Sequence, residues 1–321
     1  MIVTLTANPS LDRTIELATP LARGEVQRSS ARREQPGGKG VNVARALIAS
    51  GVETVAVLPG REDDPMLLAL AAAGIPSAGL PIAGTVRSNL TLTEPDGTTT
   101  KINEPGPTLT RDEGTALIDL LVSHARDAAW LVLAGSLPPG LPSDFYVRAV
   151  RAVREAGGNP QIAVDSSGPA MLALVASGER VDLIKPNAEE LAELAGHGDA
   201  ATLEADAAAA ASLALELVHG GVGSVLATLG SRGAVLVTAE GAWHASMPPV
   251  TVRSTVGAGD SSLSGYLIAQ QRGDAHEGRL AQAVAHGTAA AALPGSELPS
   301  LSQTNPGAAT VTALTVNTHL E

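Results

Sequence analysis

STVGAGDSSLSGYLIAQ, residues Ser254 to Gln270, is the stretch around which the chain is organised. Gly257 and Gly259 let the backbone turn sharply with its N–H groups converging, and an apolar helical run follows directly. Such a helix start presents unpaired amides and the positive end of a helix dipole, and so attracts an anion. The same point carries a carboxylate, Asp260. Taken alone, the stretch has two readings: a capped helix behind a tight turn, or a proton acceptor beside a phosphate site. Its surroundings decide between them.

Working outward, several polar or glycine-rich turns fall just after short apolar runs that read as strands. Ile2 to Thr6 is a strand ended by Asn8-Pro9-Ser10, which puts Asp12 just beyond its carboxyl end. PGGKGVNVARALIASG, Pro36 to Gly51, is a second glycine-rich helix start, with Val41, Ala44, Leu47 and Ile48 at helical spacing. It lacks both the GK[ST] of a P-loop and a complete dinucleotide fingerprint, and a lone loop of this kind is more often structural. Lys39 and Asn42 nevertheless supply donors suited to a polyhydroxylated ligand. GSLPPG follows the strand Trp130 to Ala134, DSSG follows Gln161 to Asp165, KPNAEEL follows Asp182 to Lys185, and LGSRG follows Ser224 to Thr228. Asn187 and Glu190, three apart, share one side of a first helical turn, where a plain cap is the simpler reading.

The strands alternate with helices, predicted among others over Asp64 to Ala73, Thr110 to Ser123, Ser143 to Ala156, Leu203 to Val218 and Gly278 to Leu293. That rhythm implies a doubly wound, mainly parallel α/β sheet with right-handed crossovers, whose ligands gather at the carboxyl ends of the strands. Two β-like excursions stand apart. Residues 12–35 are polar and strand-like around Gly24, and Arg87 to Thr93 with Thr98 to Asn103 form a hairpin about Pro95-Asp96-Gly97. They pair as a small β-sheet lid over residues 12–35 and 86–106, outside a core of residues 1–11, 36–85 and 107–321. Arg87 and Lys101 are its cations, and either is equally an ordinary solvated residue. Ile15, Leu17, Leu90, Leu92 and Ile102 give the lid an apolar face, so it is expected to close over substrate and pair with the lid of a second copy. The tail from Pro294 to Glu321 is rich in Pro, Gly, Ser and Thr, with β-like pieces near its end.

Composition narrows the function. Of 321 residues, 44% are hydrophobic but only 2% aromatic, so Ala, Val and Leu build the core and base-stacking platforms are not expected. A net charge of −12 opposes a nucleic-acid or anionic membrane surface, which leaves small anions caught by local cations and amides. No cysteine is present, which removes thiol catalysis and thiolate metal sites and fits a cytoplasmic protein.

Together STVGAGD, PGGKGVNVA, GSLPPG, DSSG and KPNAEEL resemble, in order and spacing, the PfkB-type (ribokinase-like) carbohydrate kinases over nearly the whole chain. TLTANPSLDRTIEL, RGEV, KINEPGP and GSLPPG are most similar to the phosphosugar branch of that family, closest to its 1-phosphofructokinases. The resemblance implies that Asp260 takes the proton of the substrate hydroxyl while the amides of Gly257, Ala258 and Gly259 stabilise the transferring phosphoryl group. It implies that Asp12, Gly38, Lys39 and Asn42 hold the sugar, with Arg87, Lys101 and Ser136 at its phosphate. Glu190 and Asn187 would organise Mg²⁺ and phosphates. Lys185, Thr228, Gly230 and Gly233 would face ATP, with His286 near the nucleotide. The branch's substrates are fructose 1-phosphate, tagatose 6-phosphate and fructose 6-phosphate; Glu25, where a basic residue could bind phosphate, leans away from the last. A non-catalytic sugar-phosphate sensor would not need a base at a phosphate cradle, and an oxidoreductase would need the absent dinucleotide fingerprint.

Overall fold

Short runs of Val, Leu, Ile and Ala, buried on both faces, form the central strands. A computed structural model describes residues 1–316; the final residues of the predicted tail, from Asn317 to Glu321, lie outside the described part. In chain order the strands are β1 (Ile2–Leu5), β2 (Ser10–Leu17), β3 (Ser29–Gly37), β4 (Thr54–Pro59), β5 (Ser77–Leu80), β6 (Arg87–Thr93), β7 (Thr99–Asn103), β8 (Trp130–Ala134), β9 (Gln161–Asp165), β10 (Leu183–Ile184), β11 (Ser224–Thr228), β12 (Ala234–Thr238), β13 (Gly241–Ser246) and β14 (Thr310–Leu314). The helices are α1 (Lys39–Ala49), α2 (Pro65–Ala72), α3 (Arg111–Ala125), α4 (Phe145–Glu155), α5 (Gly168–Ala176), α6 (Ala188–Ala195), α7 (Ala200–Ala205), α8 (Ala207–His219), α9 (Ala258–Gln271) and α10 (His276–Ala291).

Ten strands form one sheet in the order β14-β13-β12-β11-β10-β9-β8-β1-β4-β5. The run from β11 to β5 is parallel, and β12, β13 and β14 extend it antiparallel. Strand order reverses at β1: the chain winds out to β4 and β5 on one side, then returns through β8 to the other. A crevice opens at such a switch point because the connections leave neighbouring strand ends in opposite directions. Alternation along β1 divides the core. Val3 and Leu5 pack with Leu117 of α3 and Val150 of α4, while Ile2 packs with Leu47 of α1, Leu263 of α9 and Leu280 of α10. Helices therefore cover both faces, as the sequence implies.

The other sheet has the order β3-β2-β6-β7. Its two hairpin-like pairs are antiparallel, and they join through a parallel pairing of β2 with β6. Asp12 pairs with Asn89, which pairs with Asn103, so these three share the sheet face that also carries Arg87 and Lys101. Among the described residues no helix is long and apolar enough to cross a membrane.

Two details depart from the sequence reading. The helix expected over Leu203 to Val218 is two helices, because Asp206 leaves the helical conformation and its carboxylate caps α8 through the amides of Ala208 and Ala209. Strand β5 lies in a stretch to which the sequence assigns no element; SAGL is too short and small to announce itself. The β-like piece near the end of the tail is a strand: Thr310–Leu314 adds to the main sheet beside β13.

Candidate active site

The turn before α9 stands between two cavities. Gly257 takes φ of +76°, a conformation that a side chain would strain, and is followed by the first turn of the helix at Ala258, Gly259 and Asp260. On one side lies a cavity of about 320 Å³, whose walls include Asp12, Lys39, Asn42, Arg87, Gly257 and Asp260. On the other lies a cavity of about 950 Å³, which reaches Ala258, Gly259 and Ser262 and, farther out, Thr228, Gly230 and Gly233. The smaller is lined largely by polar groups. Val250, Val252, Met247 and Val284 give the larger an apolar part.

Charges are paired around this turn. Asp165, at the end of β9, is fully buried; its Oδ1 accepts from Lys39 Nζ at 2.7 Å and its Oδ2 lies 3.1 Å from Lys185 Nζ. Burial alone would raise the Asp165 pKa, but the two ammonium groups outweigh it and hold the carboxyl below its ordinary range. Lys39 also reaches Glu190 Oε1 at 3.4 Å; burial opposes its charge, yet Asp165 and Glu190 hold its pKa above the usual lysine value. Lys185 lies under the turn so closely that a Cβ on Gly259 would stand 3.1 Å from its Nζ. Asp260 is 7% exposed and accepts one hydrogen bond at Oδ2, from Asn42 Nδ2 at 2.8 Å. Burial, reinforced by the charge of Asp165, pushes its pKa up to about 6 despite Asn42, Lys185 and Lys39. A basic carboxylate thus faces the small cavity while backbone amides face the large one. That arrangement can deprotonate a hydroxyl on one side and receive an anion on the other.

The family model for pfkB family carbohydrate kinases matches residues 5–297 of this chain. The chain belongs to the pfkB family of carbohydrate kinases. It is 34% identical over 323 residues to a 1-phosphofructokinase of Haloferax volcanii, covering all of this chain and 98% of that one. It is 36% identical over 279 residues to an ATP-dependent 6-phosphofructokinase isozyme 2 of Mycobacterium tuberculosis, covering 85% of this chain and 78% of that one. Among solved structures it is similar to phosphofructokinase-2 from Escherichia coli in complex with potassium, with a TM-score of 0.85 and 30% identity over 94% of this chain and 96% of that one. As a pfkB carbohydrate kinase the protein is a phosphotransferase with an alcohol acceptor, and its ribokinase-like fold with a small separate sheet is the one the motifs imply.

Most residues singled out in the pfkB motifs meet at these two cavities. Asp12, Gly38, Lys39, Asn42, Arg87 and Ser136 line the small one with Gly257 and Asp260. Asn187, Thr228, Gly230 and Gly233 line the large one with Ala258 and Gly259. Lys185 is buried between the two. Asn187 and Glu190 cap α6 reciprocally: Asn187 Oδ1 accepts from the Glu190 amide at 2.8 Å, and Glu190 Oε2 accepts from the Asn187 amide at 2.9 Å. Two placements differ from the sequence reading. His286 does not line the larger cavity: it is fully buried between α9 and α10, its Nδ1 against Gln282, and burial lowers its pKa to about 4. Its neighbours Gly287 and Thr288 line that cavity instead. Lys101 shares the lid face of Asp12 but pairs with Thr91, one step farther out, and lies exposed beyond the small cavity.

Sequence reasoning passed over Asp165, Asn8, Asn89 and Ser167. Asn89 stands two residues after Arg87 in one strand, a spacing that puts both on one face, and its Nδ2 donates to Asp12 Oδ1 at 3.1 Å. Asp165 ends the apolar run IAVD at a strand's carboxyl end, which is where a functional carboxylate belongs.

Proposed function

We propose that this protein transfers the γ-phosphoryl group of ATP to a ketohexose phosphate, and that fructose 1-phosphate, converted to fructose 1,6-bisphosphate, is the favoured substrate. The observation that carries the reading is the position of the α9 turn, with Asp260 on the small polar cavity and the amides of Ala258 and Gly259 on the larger one. The sugar hydroxyl oxygen attacks the γ-phosphorus, its proton passes to Asp260, and the bond from the γ-phosphorus to the ADP oxygen breaks. The amides of the turn stabilise the charge on the moving group, and Lys185 beneath Gly259 adds to that field. A base with a pKa near 6 is mostly ionised at neutral pH, yet stronger than an ordinary aspartate.

Substrate anchoring is assigned to the small cavity. Asp12, Asn42, Lys39 and the Gly38 loop meet the sugar hydroxyls. Arg87, whose guanidinium donates to the carbonyls of Asn8 and Glu104, presents positive charge at the lid side for the existing phosphate, with Ser136 nearby and Lys101 reaching in only on closure. The larger cavity takes ATP, with its apolar part suited to a base and Thr228, Gly230 and Gly233 along the phosphates. Among the described residues no cluster of three acidic, histidine or cysteine side chains could hold a metal. Mg²⁺, an ion that keeps several waters and needs only one or two carboxylates, here Glu190 near Asn187, would arrive on the nucleotide phosphates. Bound there, Mg²⁺ would neutralise phosphate charge.

A relative named 1-phosphofructokinase that spans the whole chain supports fructose 1-phosphate, as does Glu25 where a basic residue could hold a 6-phosphate. A second reading, fructose 6-phosphate, is supported by the relative named 6-phosphofructokinase and by a structural neighbour solved in complex with fructose 6-phosphate. Comparing kcat/KM for fructose 1-phosphate, fructose 6-phosphate and tagatose 6-phosphate with MgATP decides the substrate; at least tenfold preference for fructose 1-phosphate is expected, and equal or greater preference for another refutes it. Residues 12–35 and 86–106 act as a lid on a core of residues 1–11, 36–85 and 107–321. The lid pairs with that of a second copy, in keeping with Ile102 at 54% exposure and a half-buried Leu90 and Leu92. A strictly monomeric protein in sedimentation would refute the pairing. A cysteine-free chain of this kind works in the cytoplasm.

A further inference from the structure

Asn42 touches Asp260, and something must decide which end of its amide does so. The two ends of an asparagine amide are nearly the same size but opposite in hydrogen bonding, so orientation is set by partners. Asn42 is 5% exposed and donates from Nδ2 to Asp260 Oδ2 at 2.8 Å. One helical turn on, Arg45 donates from Nη1 to Asn42 Oδ1 at 3.3 Å and to the carbonyl of Pro36 at 2.9 Å. A guanidinium offers donors only, so an amide nitrogen cannot take the place of Oδ1 beside it. Pro36 pairs with Leu11 across the small sheet, next to Asp12, whose charge Arg45 also feels. Arg45 thus joins the lid strands, the glycine loop and the residue that touches Asp260.

We propose that Arg45 is a positioning residue for phosphoryl transfer: it fixes the Asn42 amide so that Asp260 always has Oδ2 clamped by a donor and Oδ1 open to the substrate hydroxyl. The inference rests on Asp260 acting as the base. Without Arg45 the amide can turn its oxygen toward the carboxylate, which misaligns the base and disfavours its charged form. The charged or titratable groups that act on Asp260 are Lys39, beside Asn42 on α1, Asp165 at the end of β9, and Lys185 following β10, and the substitution leaves all of them in place.

The test compares Arg45→Met, Asn42→Ala and the double variant in a coupled ADP-release assay with saturating phosphosugar and MgATP, across pH. Arg45→Met should lower kcat about tenfold to a hundredfold, the range a hydrogen bond to a charged group contributes. It should leave the KM for ATP within about twofold and move the acid limb of kcat to higher pH. In the Asn42→Ala background the same substitution should do little more, because Arg45 acts through Asn42. Wild-type kcat and acid limb in Arg45→Met, or an equal loss in both backgrounds, would overturn the proposal. Arg45→Lys keeps the charge but reaches one of the two oxygens, and is read where melting shows the methionine variant poorly folded. It should lose kcat and shift the limb in the same direction, by less; a lysine variant indistinguishable from wild type also overturns the proposal. Asp260→Asn separates the two levels: if it turns over normally, the base assignment fails, whereas an inactive Asp260→Asn with additive Arg45 effects sinks only the positioning role.

Discussion

Replacing Asp260 by asparagine should abolish most turnover and at the same time stabilise the protein at alkaline pH. The carboxyl is 7% exposed, and burial with Asp165 nearby pushes its pKa up to about 6. In the unfolded chain the same group titrates near 3.9. Because the folded state holds the proton more tightly, stability from this group is fully present below the unfolded value and is lost as pH rises through about 6. A difference of about two pKa units corresponds to about 3 kcal/mol above pH 7. Asparagine fills the same space, can accept from Asn42 Nδ2, and has no charge to hold in the interior, so it escapes that loss. With an unfolding entropy of about 2.1 cal/mol/K per residue, a chain of 321 residues gains about 4 °C in Tm from 3 kcal/mol. Differential scanning fluorimetry of wild type and Asp260→Asn at pH 8 and pH 4.5 reads this directly. The variant should melt higher at pH 8, with the gap cut to about a third at pH 4.5. A variant that melts no higher at pH 8, or by a margin independent of pH, refutes the reasoning that the base is kept ionised at the expense of stability.

The wild-type kcat should rise tenfold per pH unit below about 6 and level off above it, as expected of a base that must be deprotonated. Substrate phosphates titrate in the same range, so the profile is taken at saturation, and residual turnover of Asp260→Asn should lack the limb; a flat wild-type profile from pH 5 to 8 counts against Asp260. Arg87→Ala should raise the KM for phosphosugar at least about tenfold, the lower end of what a charge-assisted contact contributes, while Lys101→Ala changes it less, because only Arg87 lines the cavity. A larger effect of Lys101 would mean that lid closure brings it to the phosphate.

Much of this site was legible because buried parallel strands announce themselves. WLVLA, QIAVD and SVLAT are apolar runs bounded by turns, and β8, β9 and β11 match them residue for residue. Once the strand ends are fixed, so is the edge on which the turns gather. What stayed hidden depends on distance in three dimensions. Asp165 gains its meaning from Lys39, 126 residues away, and Lys185, and a linear reading cannot pair them. Alternation told which lid face carries Arg87 and Lys101, but depth along the strands decides that only the first reaches the cavity. The Ala-rich segment before β11 reads as helix throughout, so its break turned on one side chain, Asp206, with a better use for its oxygen as a cap. His286 sits on an α10 face that packs against α9, and the helical period alone does not say which face meets a ligand.

The charges around the α9 turn bear on why the site is built from amides. Asp165, Asp260 and Glu190 face only two lysines, Lys39 and Lys185, and Asp165 engages both. The side chains nearest the transfer point therefore carry more negative than positive charge, in a chain whose formal net charge is −12. A polyphosphate approaching that point gains little from side-chain Coulomb attraction. What is left to receive it are fixed dipoles, the N–H groups of Gly257, Ala258 and Gly259 and the start of α9, which cannot be neutralised by a neighbouring carboxylate. On the proposed reading, the same arrangement keeps Asp260 usable as a base. Had Asp260 been paired directly with either lysine, its pKa would fall below the ordinary carboxylate range, as that of Asp165 does, and it would be a poor proton acceptor. By taking both lysines, Asp165 leaves Asp260 with a neutral donor, Asn42, and a raised pKa. On the proposed reading, an acidic, cysteine-free, aromatic-poor chain carries out anion chemistry with a backbone turn, a carboxylate held by a neutral donor and two lysines beside it.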